Sequence, residues 1–245
     1  AGIANMATIA RQDPYGEGLA AAVVKDFTAA GGNITSALLY DPAAPSFEAE
    51  VAEIVAGAPE AVVVVGFDES TKLIQEMIKQ GAGPDKIQLY LVDGNASTTA
   101  FAEFPAGTMA GTVATFPSGS VDVQTFNDRM LAFDPSLTDF LYGPQSFDAT
   151  MLIALAAQQA GCADGTSIAA NLISVAGDGG EECTTYADCV ALIDAGTAID
   201  YMGVNGGSDF NQYGDLLEGT ISINEYSSNT EYEEIGSLTA VVPEP

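Results

Sequence analysis

The chain has 245 residues, 47% of them hydrophobic, enough to bury a large core either as one α/β domain or as two smaller lobes. It carries 34 acidic residues against 6 basic ones and has no His and no Trp, for a formal charge of −28. Such a surface repels phosphate backbones and anionic lipid, which argues against nucleic-acid and membrane-surface binding.

The acids are spread along the chain without a long block, as on a solvated surface adapted to salt, and a saline or marine habitat fits. No apolar run reaches the roughly 20 residues needed to span a bilayer, and no basic segment followed by an apolar one opens the chain. The reading is a mature soluble protein or a piece of one.

In the first 117 residues two hydrophobic periods alternate. Met6 to Ala10 reads as a buried strand, followed by a helix whose Leu19, Val23 and Phe27 stand four apart on one face. Gly31-Gly32 ends it, and Ile34 to Tyr40 is the next strand. After Asp41-Pro42 a helix starts near Ser46, with Glu48 and Glu50 at its positive end and Phe47, Val51, Ile54 and Val55 as its apolar stripe.

Ala61 to Gly66 holds four consecutive valines, the mark of a strand buried on both faces. A third helix turns Leu73, Ile74, Met77 and Ile78 inward and stops at Gly81. Ile87 to Val92 is a fourth strand, a short helix is expected after Asn95, and Gly111 to Phe116 is a fifth strand. Strand and helix repeating at this spacing predict a parallel sheet with right-handed crossovers.

From Pro117 the pattern becomes helical: Val121 to Phe133, Ser146 to Ala160, Thr166 to Val175 and Thr184 to Ala195, with little strand between them. Beyond Gly196 come loops, one alternating strand from Thr220 to Glu225, and a polar tail expected to be loosely held.

Cys183 and Cys189 bracket five residues that can form a turn, which favours a small local disulfide and an oxidising compartment over free structural thiols; Cys162 is left over. Zinc is a poor reading without His.

Ligands of parallel sheets bind beyond the carboxyl ends of the strands. Those ends carry Asp13 and Tyr15, then Tyr40 and Asp41, then Phe67 and Asp68, then Asp93, Gly94 and Asn95. Asp93 is the best candidate, because the glycine after it leaves room for a ligand to approach. Gly16-x-Gly18-x-x-Ala21, with Asp41 ending the next strand, imitates a dinucleotide fingerprint. Five residues separate Ala10 from Gly16, however, where the tight turn should follow the strand directly, and Asp13 and Glu17 oppose a pyrophosphate.

Without His there is no Ser-His-Asp or Cys-His pair, and neither a Gly-x-Ser-x-Gly elbow nor a Walker sequence occurs. Composition leaves carboxylate-pair catalysis open, but no enzyme activity and no cofactor are expected. Asp209-x-Asn211-x-Tyr213-Gly214 faintly suggests a calcium loop, but position twelve is Thr220 where a Glu is required, and an Asx-rich turn is the better reading.

Five segments in order then carry a resemblance: Tyr15-Gly16-Glu17-Gly18-Leu19-Ala20 after a strand; Ala61 to Gly66 with Phe67; Asp93-Gly94-Asn95-Ala96-Ser97; Phe140 to Ala149; and Asp200-Tyr201-Met202-Gly203 followed by Asp209-Phe210 and Tyr213-Gly214-Asp215. Together they resemble the leucine/isoleucine/valine-binding family of type I periplasmic solute receptors over nearly the whole chain.

The resemblance implies an α/β fold of type I periplasmic-binding-protein kind, a two-lobed extracytoplasmic receptor that closes on a small solute and delivers it to an ABC permease. Residues 1–116 would form one α/β lobe, 117–199 the helical part of an incomplete other lobe, and 200–245 the return crossing and final strand of the first. By position, Tyr15 would pack on the ligand, Asp93 would pair with its α-ammonium, and Phe67 and Phe147 would line the apolar part of the pocket.

The solute implied is a branched-chain-like amino acid or similar small polar molecule. Receptors of this kind begin with a further strand-helix series, so this chain is expected to lack the opening third, any lipid anchor would precede Ala1, and binding by residues 1–245 alone is expected to be weak. The other readings are a sensory or assembly module of the same fold without a transport role and, less favoured, a nucleotide-cofactor enzyme.

Overall fold

The computed structural model describes residues 2–118, 123–138, 140–177 and 179–241. By its contacts the chain forms two compact units, one of Ala1–Phe116 and Ile221–Ser237, the other of Pro117–Thr220 and Leu238–Pro245.

The first unit opens with β1 (Asn5–Arg11), α1 (Pro14–Ala29), β2 (Asn33–Tyr40), α2 (Glu48–Gly57), β3 (Ala61–Val65), α3 (Ser70–Lys79), β4 (Gln88–Leu91) and β5 (Val113–Ser118). Late in the chain come β8 (Glu218–Tyr226) and β9 (Tyr232–Val241), and the sheet order is β2-β1-β3-β4-β5-β8-β9. The pairs β1–β2, β1–β3, β3–β4 and β4–β5 are parallel, with Ile9 beside Leu38 on one side and Val64 on the other.

The chain thus leaves β1 in one direction to make β2 and then crosses back to make β3. This reversal puts α1 on one face and α2 and α3 on the other, given right-handed crossovers. Met6, Ala10, Ala61, Val63 and Val65 form one core cluster, against which Leu19, Val23 and Phe27 of α1 pack. All five residues of β3 are buried, which the valine run requires. Phe47, Val51 and Ile54 are also buried, but Val55 turns to solvent and leaves the predicted stripe.

Two readings of this unit are corrected. No helix follows Asn95: residues 94–111 form successive turns, with Phe101, Phe104 and Met109 buried as anchors. Asn229 pins that stretch, accepting from the Met109 N–H at 3.1 Å and donating to the carbonyls of Phe104 and Pro105. Pro105 and the left-handed Gly107 and Gly111 interrupt any helical run.

The tail is not loose as far as Val241; its end, Pro243-Glu244-Pro245, lies outside the described residues. Residues 232–241 form β9 at the sheet edge, beside β8, whose Tyr226 exchanges backbone hydrogen bonds with Gly111 and Thr112. Thr220 and Thr239 share a hydrogen bond across that hairpin. Tyr232 stacks on Phe116 and meets Tyr226 edge-on, an aromatic anchor that the alternation of Glu, Ser and Thr around it concealed.

The second unit contains α4 (Val123–Phe133), α5 (Gly143–Ala160), α6 (Gly165–Leu172) running into a tight turn at Ile173–Val175, β6 (Glu181–Cys183), α7 (Tyr186–Asp194) and β7 (Ile199–Tyr201). Val121 and Asp122, the predicted start of α4, lie outside the described residues. β6 and β7 pair in parallel, a small sheet that was not expected; at three residues each, the strands are too short to show a period.

The unit's core gathers Leu152, Leu155 and Ala156 of α5 with Val175, Ala176, Cys183, Cys189, Ile199 and Tyr201. Within it Cys183 is disulfide-bonded to Cys189 with the Cα atoms 5.3 Å apart, tying the end of β6 to α7. Cys162 is exposed, and its thiol donates to Asp164, which caps α6 by accepting from the Thr166 and Ser167 amides.

Candidate functional site

The reversal of strand order falls between β1 and β3, and the loops that follow these two strands flank it. At such a point neighbouring loops diverge and leave a crevice beyond the sheet. The loop after β1 brings Tyr15, the loop after β3 brings Phe67, and the loop after β4 brings Asp93. The structure assembles all three: the rings of Tyr15 and Phe67 stack with centroids 5.3 Å apart, and the Tyr15 hydroxyl donates to Asp93 Oδ1 at 3.1 Å.

Tyr15 is held in place by the start of α1. Asp13 is its N-cap, accepting from the Gly16 N–H at 2.8 Å, and Pro14 supplies the fixed φ of the first turn. The Gly16 amide, and after it the Arg11 guanidinium, hold the Asp13 carboxyl below the usual range. This helix end is therefore closed by the chain's own carboxylate. A Cβ at Gly16 would also strike the Arg11 carbonyl, so this glycine serves the close packing of strand and helix, not a phosphate.

Burial, and then the charge of Asp93, push the Tyr15 phenol well above its ordinary pKa. It is a neutral donor throughout the physiological range.

Phe67 is 41% exposed, unusual for so large an apolar ring. Its loop is fixed by Glu69, whose Oε1 accepts from Arg11 Nη1 at 3.0 Å, from the Tyr40 hydroxyl at 2.9 Å and from the Phe67 N–H at 3.3 Å. The Arg11 guanidinium lies 4.5 Å from the Phe67 ring centre and also pairs with Asp13. Neither Arg11 nor Glu69 stood out in the sequence. The available signal was scarcity, since Arg11 is one of only six basic residues and ends a strand.

Asp93 is set by its neighbours. The Asn95 side chain is buried, accepting from the Val92 N–H at 2.9 Å and donating to the Val64 carbonyl and to Ser70 Oγ. It ties the loop after β4 to β3 and α3. Gly94 does not leave room for a ligand, as was expected: a Cβ there would lie 2.6 Å from the Gly66 carbonyl and 2.9 Å from the Phe67 ring. The glycine admits the protein's own loop, and Phe67 fills the space.

Asp41 accepts from the Ala43 N–H in a turn, and Asn211 makes the same kind of turn with the amides of Tyr213 and Asp215. Among the described residues no group of acids could hold a metal.

Phe147 belongs to the second unit. It sits in the second turn of α5, edge-on to Phe126 of α4, with the Arg129 guanidinium 5.2 Å from its ring centre. Its neighbour Asp148, which the sequence did not single out, accepts four hydrogen bonds. Oδ1 accepts from the Tyr201 hydroxyl and the Val204 N–H, Oδ2 from the Asn205 N–H and Nδ2, all within 3.0 Å. Gly203 lets the chain pass, since a Cβ would collide with that carboxylate.

With this geometry in hand, comparison with known proteins gives the family. A family model described as periplasmic binding protein matches residues 1–185. The chain belongs to the periplasmic binding protein family. No curated sequence matches it.

Among solved structures, a leucine-binding protein LivK from Thermotoga maritima superposes with a TM-score of 0.73 at 15% identity, over 97% of this chain and 61% of that one. The substrate-binding protein LivJ from Streptococcus pneumoniae, in complex with isoleucine, gives 0.69 at 16% identity, over 98% and 60%. A periplasmic binding protein type 1 from Bordetella pertussis gives 0.67 at 15% identity, over 95% and 61%. The chain thus spans about three fifths of the length of these structures, and at such identities the likeness establishes the fold. This periplasmic binding protein chain has the mainly parallel sheet and flanking helices of type I.

Proposed function

We propose that this chain is part of the solute-binding component of an extracytoplasmic ABC importer, taking an amino acid of branched-chain type or a similar small polar solute. The observation that carries the reading is the joining of Tyr15, Phe67 and Asp93 at the strand reversal, an aromatic wall beside a carboxylate. A carboxylate there suits a ligand ammonium, and the exposed Phe67 suits its apolar part. Among the fold relatives, a leucine-binding protein and a branched-chain amino acid transporter substrate-binding protein agree with this reading. The disulfide fits an oxidising compartment, and no described helix is long and apolar enough to cross a membrane.

Further ligand contacts come from the part of the fold that the solved relatives have and this chain does not match, so residues 1–245 bind weakly. The test is a chemical-shift titration of residues 1–245 with isoleucine up to high millimolar concentration. Perturbations centred on the amides of Tyr15, Phe67 and Gly94 are expected, smaller in Asp93→Asn. A chain that shows no response, or one that responds only elsewhere, would overturn the proposal.

A further inference from the structure

The group at the strand reversal contains one more chemical element, and it bears on which solute is bound. Arg11 ends β1, is partly buried, and is placed over the one exposed aromatic wall of the site. Its guanidinium has five N–H donors in a fixed fork. Nε donates to Asp13 and one hydrogen of Nη1 to Glu69. Among the described residues Nη2 donates to nothing, and it is not sealed from solvent, since it is absent from the buried atoms left without a partner.

The two carboxylates hold the guanidinium at Nε and Nη1, and it lies against the Phe67 ring. Three N–H donors remain beside the ring, one on Nη1 and two on Nη2. A guanidinium kept only as a structural tie would be surrounded by acceptors, which this chain has in excess.

We infer that Arg11 is a specificity-determining residue whose outer N–H groups donate to a neutral oxygen on the solute side chain, so that the preferred solute is an amino acid bearing a carboxamide or comparable carbonyl group. A neutral acceptor follows from the local charge. Arg11 is already countered by Asp13 and Glu69, and Asp93 stands beyond the Tyr15 hydroxyl, so a side-chain carboxylate would meet three carboxylates and one guanidinium. An aliphatic side chain of equal size would cover the donors and leave them without water or partner. The inference rests on the proposed amino-acid site and, of the two kinds of solute proposed for it, favours the small polar one over the branched-chain one.

Glutamine, leucine and glutamate are close in size and differ in the group offered to Arg11, so they are the probes. Each is titrated into isotopically labelled residues 1–245, following the Arg11 side-chain Nε–H signal and the amides of Phe67 and Gly94. Glutamine is expected to bind about tenfold more tightly than either of the others, the factor of one hydrogen bond to a charged group, and to shift the Arg11 signal.

In Arg11→Met, which keeps an unbranched stem against Phe67, the glutamine-to-leucine ratio should fall to about one. In Arg11→Lys, which keeps the charge but lacks the fork, it should fall as well. The ratio is insensitive to a general loss of folding. Leucine binding as tightly as glutamine at the same amides would overturn this inference and leave the amino-acid site standing; no response to any of the three would overturn both.

Discussion

The phenol of Tyr15 reaches from the first turn of α1 to Oδ1 of Asp93, 3.1 Å away, and so joins the loop after β1 to the loop after β4 across the intervening strand β3. The link works only while the phenol keeps its proton.

That requirement gives an alkaline limit. Tyr15, Tyr40, Tyr201 and Tyr226 are all pushed above the usual tyrosine range, burial being the largest cause in each. Their folded pKa values exceed the unfolded value of about 10, so the folded chain binds more protons than the unfolded one at alkaline pH. The stability they contribute is whole below about pH 10 and is lost as pH rises through the folded values. Tyrosinate absorbance at about pH 11 should therefore be lower in the folded chain than in urea, and Asp93→Asn should bring the Tyr15 transition down. Coincident titrations of folded and unfolded chain would contradict this.

Gly94→Ala should destabilise the first unit by about 1–3 kcal/mol through overpacking. The added methyl meets the Gly66 carbonyl, which is backbone and cannot swing aside, and the Phe67 ring. Urea unfolding would show the loss, and the Tyr15–Phe67 ring-current shifts should collapse with it. Unchanged shifts would mean that the loop has somewhere else to go.

Asp148→Ala removes the shared acceptor of Tyr201, Val204 and Asn205 inside the second unit. Buried donors left unpaired cost about 1–3 kcal/mol each, so the cost should reach at least the upper part of that range. Hydrogen exchange at the Val204 and Asn205 amides should rise far more than at Leu155 in the adjacent core. Uniform acceleration across α5 would point instead to general loosening.

Reduction of Cys183–Cys189 should cost about 2 kcal/mol, the value for closing a short loop. Under native conditions only Cys162 should be alkylated, since the other two are bonded and buried. Mass spectrometry giving one label before reduction and three after it is the expected result, and two or more labels before it would exclude the bridge.

The charge of −28 should make the fold dependent on salt. Raising KCl from about 0.1 M to about 1 M shortens the screening length from about 10 Å to about 3 Å, and the melting temperature should climb by several degrees. The gain should shrink near pH 4, where carboxylates begin to lose their charge. An equal gain at both pH values would assign the effect to salting-out of apolar surface, not to screening.

The strands and helices of the first unit were legible because its central strands β1 and β3 are buried on both faces. Four valines in a row and a helix stripe at Leu19, Val23 and Phe27 leave few alternatives. Tyr15, Phe67 and Asp93 could be placed together because each follows a strand of one parallel sheet. What escaped notice depended on partners distant in sequence. Residues 94–111 are held by Asn229, β9 by Phe116 and Tyr226, and the loop at Val204 by Asp148. Arg11 and Glu69 were missed for a related reason, since an ion pair 58 residues apart leaves no local period.

The order of strands in the sheet also constrains how the chain is made. β5 ends at Ser118, yet its neighbour β8 begins at Glu218, after the whole of the helical unit. During synthesis strands β1–β5 can assemble early, but the free flank of β5 has no cover until β8 emerges. Non-local pairing of this kind is slow, and an open strand flank invites wrong partners. The β8–β9 hairpin thus acts as a late closing step, and a nascent chain stalled before residue 218 would carry an adhesive edge for a chaperone to shield.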